Sequence, residues 1–481
     1  MKKPYIFIIL AFILAAVIPA AAQTESPAQK RAKEVVQLLS AGNRAEFKKY
    51  VEANFGGQMA QMPMERHLNF FSTVYESSRG YEISGVQDNT KPNEVTMLVK
   101  NKLTGEWDAL LIRVEAEAPN KITGIGFRPP KPPAGEAKKL SEKEAGRELE
   151  AFVKKLAAAD VFSGAVLLAK DGVPVYKGAF GMANKDFDAA NRVDTKFNLG
   201  SMNKMFTAVA IAQLVEKGKL SFDDPLSKFI PDFPDKESAG KIKIKHLLSH
   251  TAGLGGYFSD KWDSKSRGDI RTVDDMMALA KADEKLQFEP GSKWQYSNTG
   301  MLVIGKVIEI VSGQSYYDYV RENIAKPAGM TNTDCYELDK VNRNLAVGYD
   351  KQYTDAGVTF GNNIFMHVMR GGPQGGGYST VEDLLKFAQA LQGGKLISAE
   401  SVKMLTTPKP ELNSPDYGFG FQIDPGGKSF GHSGGFPGIN SNLDMYTGPG
   451  WTAIVMSNYS RGGGPVIQKM KRLIEGVGNG K

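Results

Sequence analysis

The sequence predicts an α+β chain of two folded units, the larger an antiparallel sheet flanked by helices with a helical lobe, the smaller a helices-then-strands domain before it. Three observations predict this. Residues 23–128 show helical periodicity first and alternating segments after; a proline-rich stretch follows; and the remainder has strands at both ends of a mostly helical middle. A length of 481 residues exceeds one typical domain, and 41% hydrophobic residues suffice for packed cores.

Taken in order, Lys2 and Lys3 precede an apolar run from Tyr5 to Val17 and then Pro19-Ala20-Ala21-Ala22-Gln23. A basic start, a short apolar core and an Ala-x-Ala end predict a signal peptide over residues 1–22, and with it a bacterial periplasmic or secreted protein. No later segment is apolar enough to span a bilayer, so no transmembrane segment is expected after cleavage. Helices are expected over Ala28 to Leu39 and Ala45 to Phe55, then strands over Tyr81 to Val86, Glu94 to Lys100, Trp107 to Val114 and Lys121 to Phe127. This pattern resembles the ketosteroid-isomerase-like or cystatin-like folds. Without a convergent polar cluster it reads as an accessory module. Residues 129–139, which open on the proline-rich stretch Arg128-Pro129-Pro130-Lys131-Pro132-Pro133-Ala134-Gly135, form a stiff linker, since stacked prolines cannot join a helix or sheet interior.

The second domain, 140–481, opens with strands Gly164 to Ala169 and Val173 to Phe180 around an Asp171-Gly172 hairpin turn. A largely apolar helix follows, stopped by Gly218. Strands return at Tyr417 to Ile423, Lys428 to His432, Ser441 to Tyr446 and Thr452 to Ser457, before a helix from Pro465 to Ile474. One sheet assembled from both ends of this domain is the expectation.

Composition narrows the function. A net charge of +7 without a basic, aromatic-interleaved stripe argues against nucleic acid as a partner. Cys335 is the sole cysteine, so no intrachain disulfide forms, and nothing around it marks a nucleophile.

Chemistry concentrates at Ser201-Met202-Asn203-Lys204. Serine and lysine three apart share a helical face. At a helix start, free N–H groups favour developing negative charge, and a lysine of lowered pKa can take the serine proton. The same pattern at Ser238-Ala239-Gly240-Lys241 lacks an apolar helix behind it and is set aside. Further on come His246-Leu247-Leu248-Ser249-His250-Thr251-Ala252-Gly253-Leu254, then Tyr296-Ser297-Asn298, then His432-Ser433-Gly434-Gly435.

Ser201-x-x-Lys204, Tyr296-x-Asn298 and His432-x-Gly434, in this order, resemble the serine β-lactamase and penicillin-binding-protein-like superfamily: class C β-lactamases, D-alanyl-D-alanine carboxypeptidases, D-aminopeptidases and related esterases. The resemblance covers roughly Leu140 to Val477. It implies a β-lactamase/transpeptidase-like fold, no cofactor, and a small-molecule or short-peptide substrate, peptidoglycan fragments among them. It makes Ser201 the nucleophile, Lys204 its proton partner, and Tyr296 a base for acylation, its anion eased by the adjacent lysine charge; the two titrate as a coupled pair, and either of them can be named the base. Asn298, His432 and Gly434 are expected at the substrate, and the N–H groups of Ser201 and Gly435 form an oxyanion hole. His432 departs from the Lys-Thr-Gly usual in β-lactamases, favouring carboxypeptidase-, aminopeptidase- or esterase-like action, with β-lactamase as the alternative. A weakly catalytic penicillin-binding or envelope-interaction protein is the rival from another class.

Other clusters read as structural. His246 and His250 lack the glutamate of a zinc-protease motif, so no metal is expected. Gly371 to Gly377 is a tight loop near the cleft rim, followed by a helix capped at Thr380-Val381-Glu382-Asp383. Asp223-Asp224 is a turn, Tyr316 to Tyr319 is helix packing, and Arg370 is the one conceivable positive group for a substrate carboxylate.

Overall fold

The computed structural model describes residues 25–131, 140–258, 260–280 and 285–478. The expected leader and most of the expected linker lie outside the described residues. The chain divides into two compact units. The first takes the described residues through Leu68 with Gly80–Asn101 and Glu106–Lys131; the second takes Asn69–Arg79, Lys102–Gly105 and the described residues beyond the linker.

In the first unit, helices Pro27–Ala41 and Arg44–Asn54 start on Ser26 and Asn43, whose side-chain oxygens accept first-turn N–H groups. Gly42 (φ 66°) ends the first of them in the left-handed region. Ala28, Ala32, Val35 and Leu39 make a fully buried stripe at helical spacing. Strands Tyr81–Asp88, Glu94–Asn101, Trp107–Val114 and Ile122–Arg128 form an antiparallel meander in chain order. A helix at Met64–Ser78, counted with the first unit through Leu68 and with the second from Asn69, was not expected from the sequence.

The second unit carries the site. Its six-stranded antiparallel sheet runs Gln422–Ile423, Ser429–Phe436, Ile439–Tyr446, Trp451–Ser457, Gly164–Lys170, Val173–Phe180. Both ends of the unit thus supply one sheet. The 164–180 hairpin turns at Asp171 (φ 50°) and Gly172 (φ 78°), both positive as a type I′ turn requires. Alternation along Gly164–Lys170 sends Ala165, Leu167 and Ala169 into the cluster around helix Asn203–Glu216, and Val166 and Leu168 into the one around helices Glu142–Ala158 and Gly463–Gly478. Helix Asn203–Glu216 is buried from Asn203 through Leu214, on every side, as its continuous apolar sequence requires.

Three boundaries differ from expectation. Helix Glu142–Ala158 was missed, although Ser141 and Glu144 form a capping box at its start. Only Gln422–Ile423 of the stretch expected from Tyr417 is strand. The strand expected to end at His432 continues to Phe436, because Gly434 and Gly435 pair with Ser441 and Asn440. Ladder pairing overrides the low strand propensity of glycine.

Candidate active site

Ser201 lies in a 3₁₀ turn, Gly200–Met202, that feeds helix Asn203–Glu216. The turn rests directly on the strand Ser429–Phe436. Gly200 has φ 52°, and a Cβ there would stand 3.0 Å from Gly434 Cα and from Gly435 N, so a side chain would force turn and strand apart. Asn198 Oδ1 accepts the Gly200 N–H at 2.8 Å, and the Asn198 carbonyl accepts the Ser441 hydroxyl at 2.9 Å. The glycine-rich segment, expected at the cleft rim, clamps the other side. Leu199 N–H donates to Gly377 O (2.7 Å), Gly376 N–H to Gly200 O (3.1 Å) and Gly377 N–H to Asn203 Oδ1 (2.9 Å).

Lys204 is wholly buried. Its Nζ donates to Asn298 Oδ1 at 2.8 Å and to the Gln374 carbonyl, and lies 4.9 Å from the centre of the Tyr296 ring. Burial pushes Lys204 well below the ordinary lysine pKa. Tyr296 is pushed up to about 12, chiefly by burial, with the neighbouring Ser201 hydroxyl pulling the other way. The expectation that Lys204 eases ionisation of Tyr296 is therefore reversed: desolvation favours the neutral form of both groups. Asn298 begins helix Asn298–Ser312, which Ser297 caps by accepting the Gly300 N–H at 3.1 Å.

His432 is 1% exposed, and both ring nitrogens are engaged. Nδ1 lies 2.6 Å from the Ser433 carbonyl and so must carry the proton; Nε2, 2.9 Å from the Tyr417 hydroxyl, accepts. Burial holds the ring to a pKa of about 3, so it is neutral. Gly434 is pressed against the Leu199 carbonyl, whereas Gly435 is exposed with open space beside its Cα. Ser201, Asn298 and Gly435 line a cleft of about 150 Å³, together with Phe258, Trp262 and Met366.

Sequence reasoning missed Tyr417, Gln374 and the placement of His250. His250 (φ 61°) accepts the Ser297 N–H through Nδ1 at 3.2 Å, and its ring lies 4.3 Å from Tyr296 and 4.6 Å from Tyr417. His246 instead accepts the Lys243 N–H at its own helix start. Among the described residues no group of three or more His, Cys, Asp or Glu side chains could hold a metal ion. The remaining clusters are structural. Ser238 donates to Asp235, Lys241 pairs with Glu237 at 2.9 Å, and Asp223 pairs with Lys243 and Lys245. Tyr316, Tyr317 and Tyr319 are buried. Arg370 donates to the Cys335 carbonyl at 2.9 Å and stacks 3.6 Å over Tyr317.

Sheet and lobe have the β-lactamase/transpeptidase-like fold, and the protein is a serine hydrolase. The beta-lactamase family model matches residues 149–474, and the chain belongs to that family. It is 33% identical over 337 residues to penicillin-binding protein 4* of Bacillus subtilis, covering 65% of this chain and 71% of that protein. It is 28% identical over 276 residues to a teichoic acid D-alanine hydrolase of Staphylococcus aureus, covering 57% of this chain and 65% of the relative. The crystal structure of a penicillin-binding protein from Bacillus halodurans superposes with a TM-score of 0.61 at 30% identity, covering 67% of this chain and 99% of that one.

Proposed function

We propose that this is an exported enzyme that hydrolyses D-amino-acid peptides or small esters and amides through an acyl-enzyme on Ser201. The observation that carries the proposal is Lys204. A neutral amine has two N–H groups; both are committed, to Asn298 Oδ1 and the Gln374 carbonyl, which leaves its lone pair to accept a proton. The Ser201 hydroxyl attacks the substrate carbonyl while its proton passes through the Tyr296 hydroxyl to Lys204. The Ser201 and Gly435 N–H groups receive the oxyanion. Collapse breaks the bond to the leaving group, which takes a proton from Tyr296, itself reprotonated from Lys204. Water then attacks the ester by the same relay, releasing the acid and freeing Ser201.

His432 acts here through Tyr417, fixing the wall behind Tyr296, and Asn298 holds Lys204. The leader over residues 1–22 supports export, and the teichoic acid D-alanine hydrolase supports a D-alanyl ester as one substrate. Residues 23–128 serve as an accessory module joined by the 129–139 linker to the hydrolase domain, 140–481. Ser201→Ala should lower kcat on D-alanyl esters at least ~10⁴-fold, the scale on which a lost nucleophile acts. Ser238→Ala should leave it unchanged. Retained turnover in the Ser201 variant contradicts the proposal.

A further inference from the structure

Tyr296 borders a second, larger space than the cleft of Ser201. It lines a cavity of about 660 Å³ between the edge strand Gln422–Ile423 and helix Gly463–Gly478. Trp294 (44% exposed), Tyr417 and Tyr446 give it aromatic walls. Asp416, Asp424 and Asp444 also line it. Lys471 is the cation among its lining residues, and it is bound to Asp424 at 2.7 Å. Asp444, on the sheet, accepts the Asn442 amide at 2.8 Å, and burial lifts its carboxyl to about 6.

We propose that this cavity receives the leaving group of the substrate, and that it takes an alcohol or amine bearing hydrogen-bond donors and no negative charge. The inference rests on the Ser201 acyl-enzyme. Tyr296 hands its proton to the departing atom, so the leaving group must lie at Tyr296, and the cavity that this residue lines is where the rest of it extends. Carboxylates only accept hydrogen bonds when ionised, and aromatic faces attract cations and stack on rings. A carboxylate placed there would meet Asp416, Asp424 and Asp444 against one cation, Lys471, which Asp424 already holds. Arg370, the one conceivable positive group, is spent on the Cys335 carbonyl and the Tyr317 ring, and His432 is neutral and bound to Tyr417. Leaving groups that carry a carboxylate, such as the D-alanine released from D-alanyl-D-alanine, are thereby disfavoured, and esters or amides of polyols and amino alcohols favoured.

The test compares leaving groups at constant acyl group: glycerol, choline and D-lactate esters, each as the butyryl and the D-alanyl ester, with the full-length enzyme. The D-lactate esters should have the lowest kcat/KM, by about tenfold, the factor that ~1.4 kcal/mol of like-charge repulsion gives. Asp416→Lys, at an exposed rim position, should close most of that gap, and Asp444→Asn part of it. Lactate esters cleaved as fast as glycerol esters, or a gap unmoved by Asp416→Lys, would overturn the inference while leaving the nucleophile in place. Ser201→Ala separates the two failures: turnover surviving in that variant, or no turnover of any ester by the wild type, sinks the acyl-enzyme itself.

Discussion

At Lys204 the chain keeps an amine where water does not reach it. Such a group loses its charge unless a counter-ion is buried with it, and none is: its two partners are an amide oxygen and a backbone carbonyl. The linkage has a definite sign. The folded pKa is depressed below the unfolded value of ~10.4, so below that value the unfolded state binds the extra proton and stability rises with pH across the window. Lys204→Met should therefore abolish turnover, melt no lower than wild type at pH 7, and lose part of the wild type's rise in Tm with pH. A variant that melts much lower would show a charged, paired lysine instead. The wild-type kcat/KM should fall on the acid side as Lys204 gains its proton, without an inflection near 6.5, because burial holds His432 to about 3. Ser201, Lys204, Tyr296 and Asn298 were legible as residues because each motif is short and local. Tyr417 and Gln374 were not: Gln374 meets Lys204 from 170 positions away, a contact that only the folded chain makes.

Among elements, the decisive contact is the turn that carries Ser201 lying on the strand Ser429–Phe436. It needs no side chain at Gly200 or Gly434, and the two glycines meet backbone to backbone. Gly200→Ala should cost about 1–2 kcal/mol from the left-handed backbone alone, measured by urea denaturation. It should also depress kcat more than KM, because the oxyanion donors on Ser201 and Gly435 move apart; unchanged kcat would mean that the turn tolerates the displacement. Regular alternation made the meander of residues 81–128 and the 164–180 hairpin legible. The glycines of His432-Ser433-Gly434-Gly435 hid the end of their strand, since pairing with Ile439–Tyr446 rather than propensity extends it. Helix Glu142–Ala158 was readable in its capping box and overlooked beside the proline-rich stretch.

Over the whole molecule, the fold follows from hydrophobic patterning at the two ends of the second unit. Strands 164–180 and 422–457 share one sheet, one face of it covers the helix that follows Ser201, and Ser201 lines the cleft while Tyr296 lines the acidic cavity. The order of motifs along the chain made the family legible. The character of the cavity was not, because its lining comes from four stretches between Trp294 and Lys471 that no single motif joins. The central claim, that Ser201 is the activated nucleophile, is tested most directly by treating the protein with a fluorophosphonate and mapping the adduct by intact-mass and peptide mass spectrometry. The account predicts one adduct, on the peptide containing Ser201, absent in Ser201→Ala and unchanged in Ser238→Ala. An adduct on another residue, or one that persists without the Ser201 hydroxyl, would contradict it.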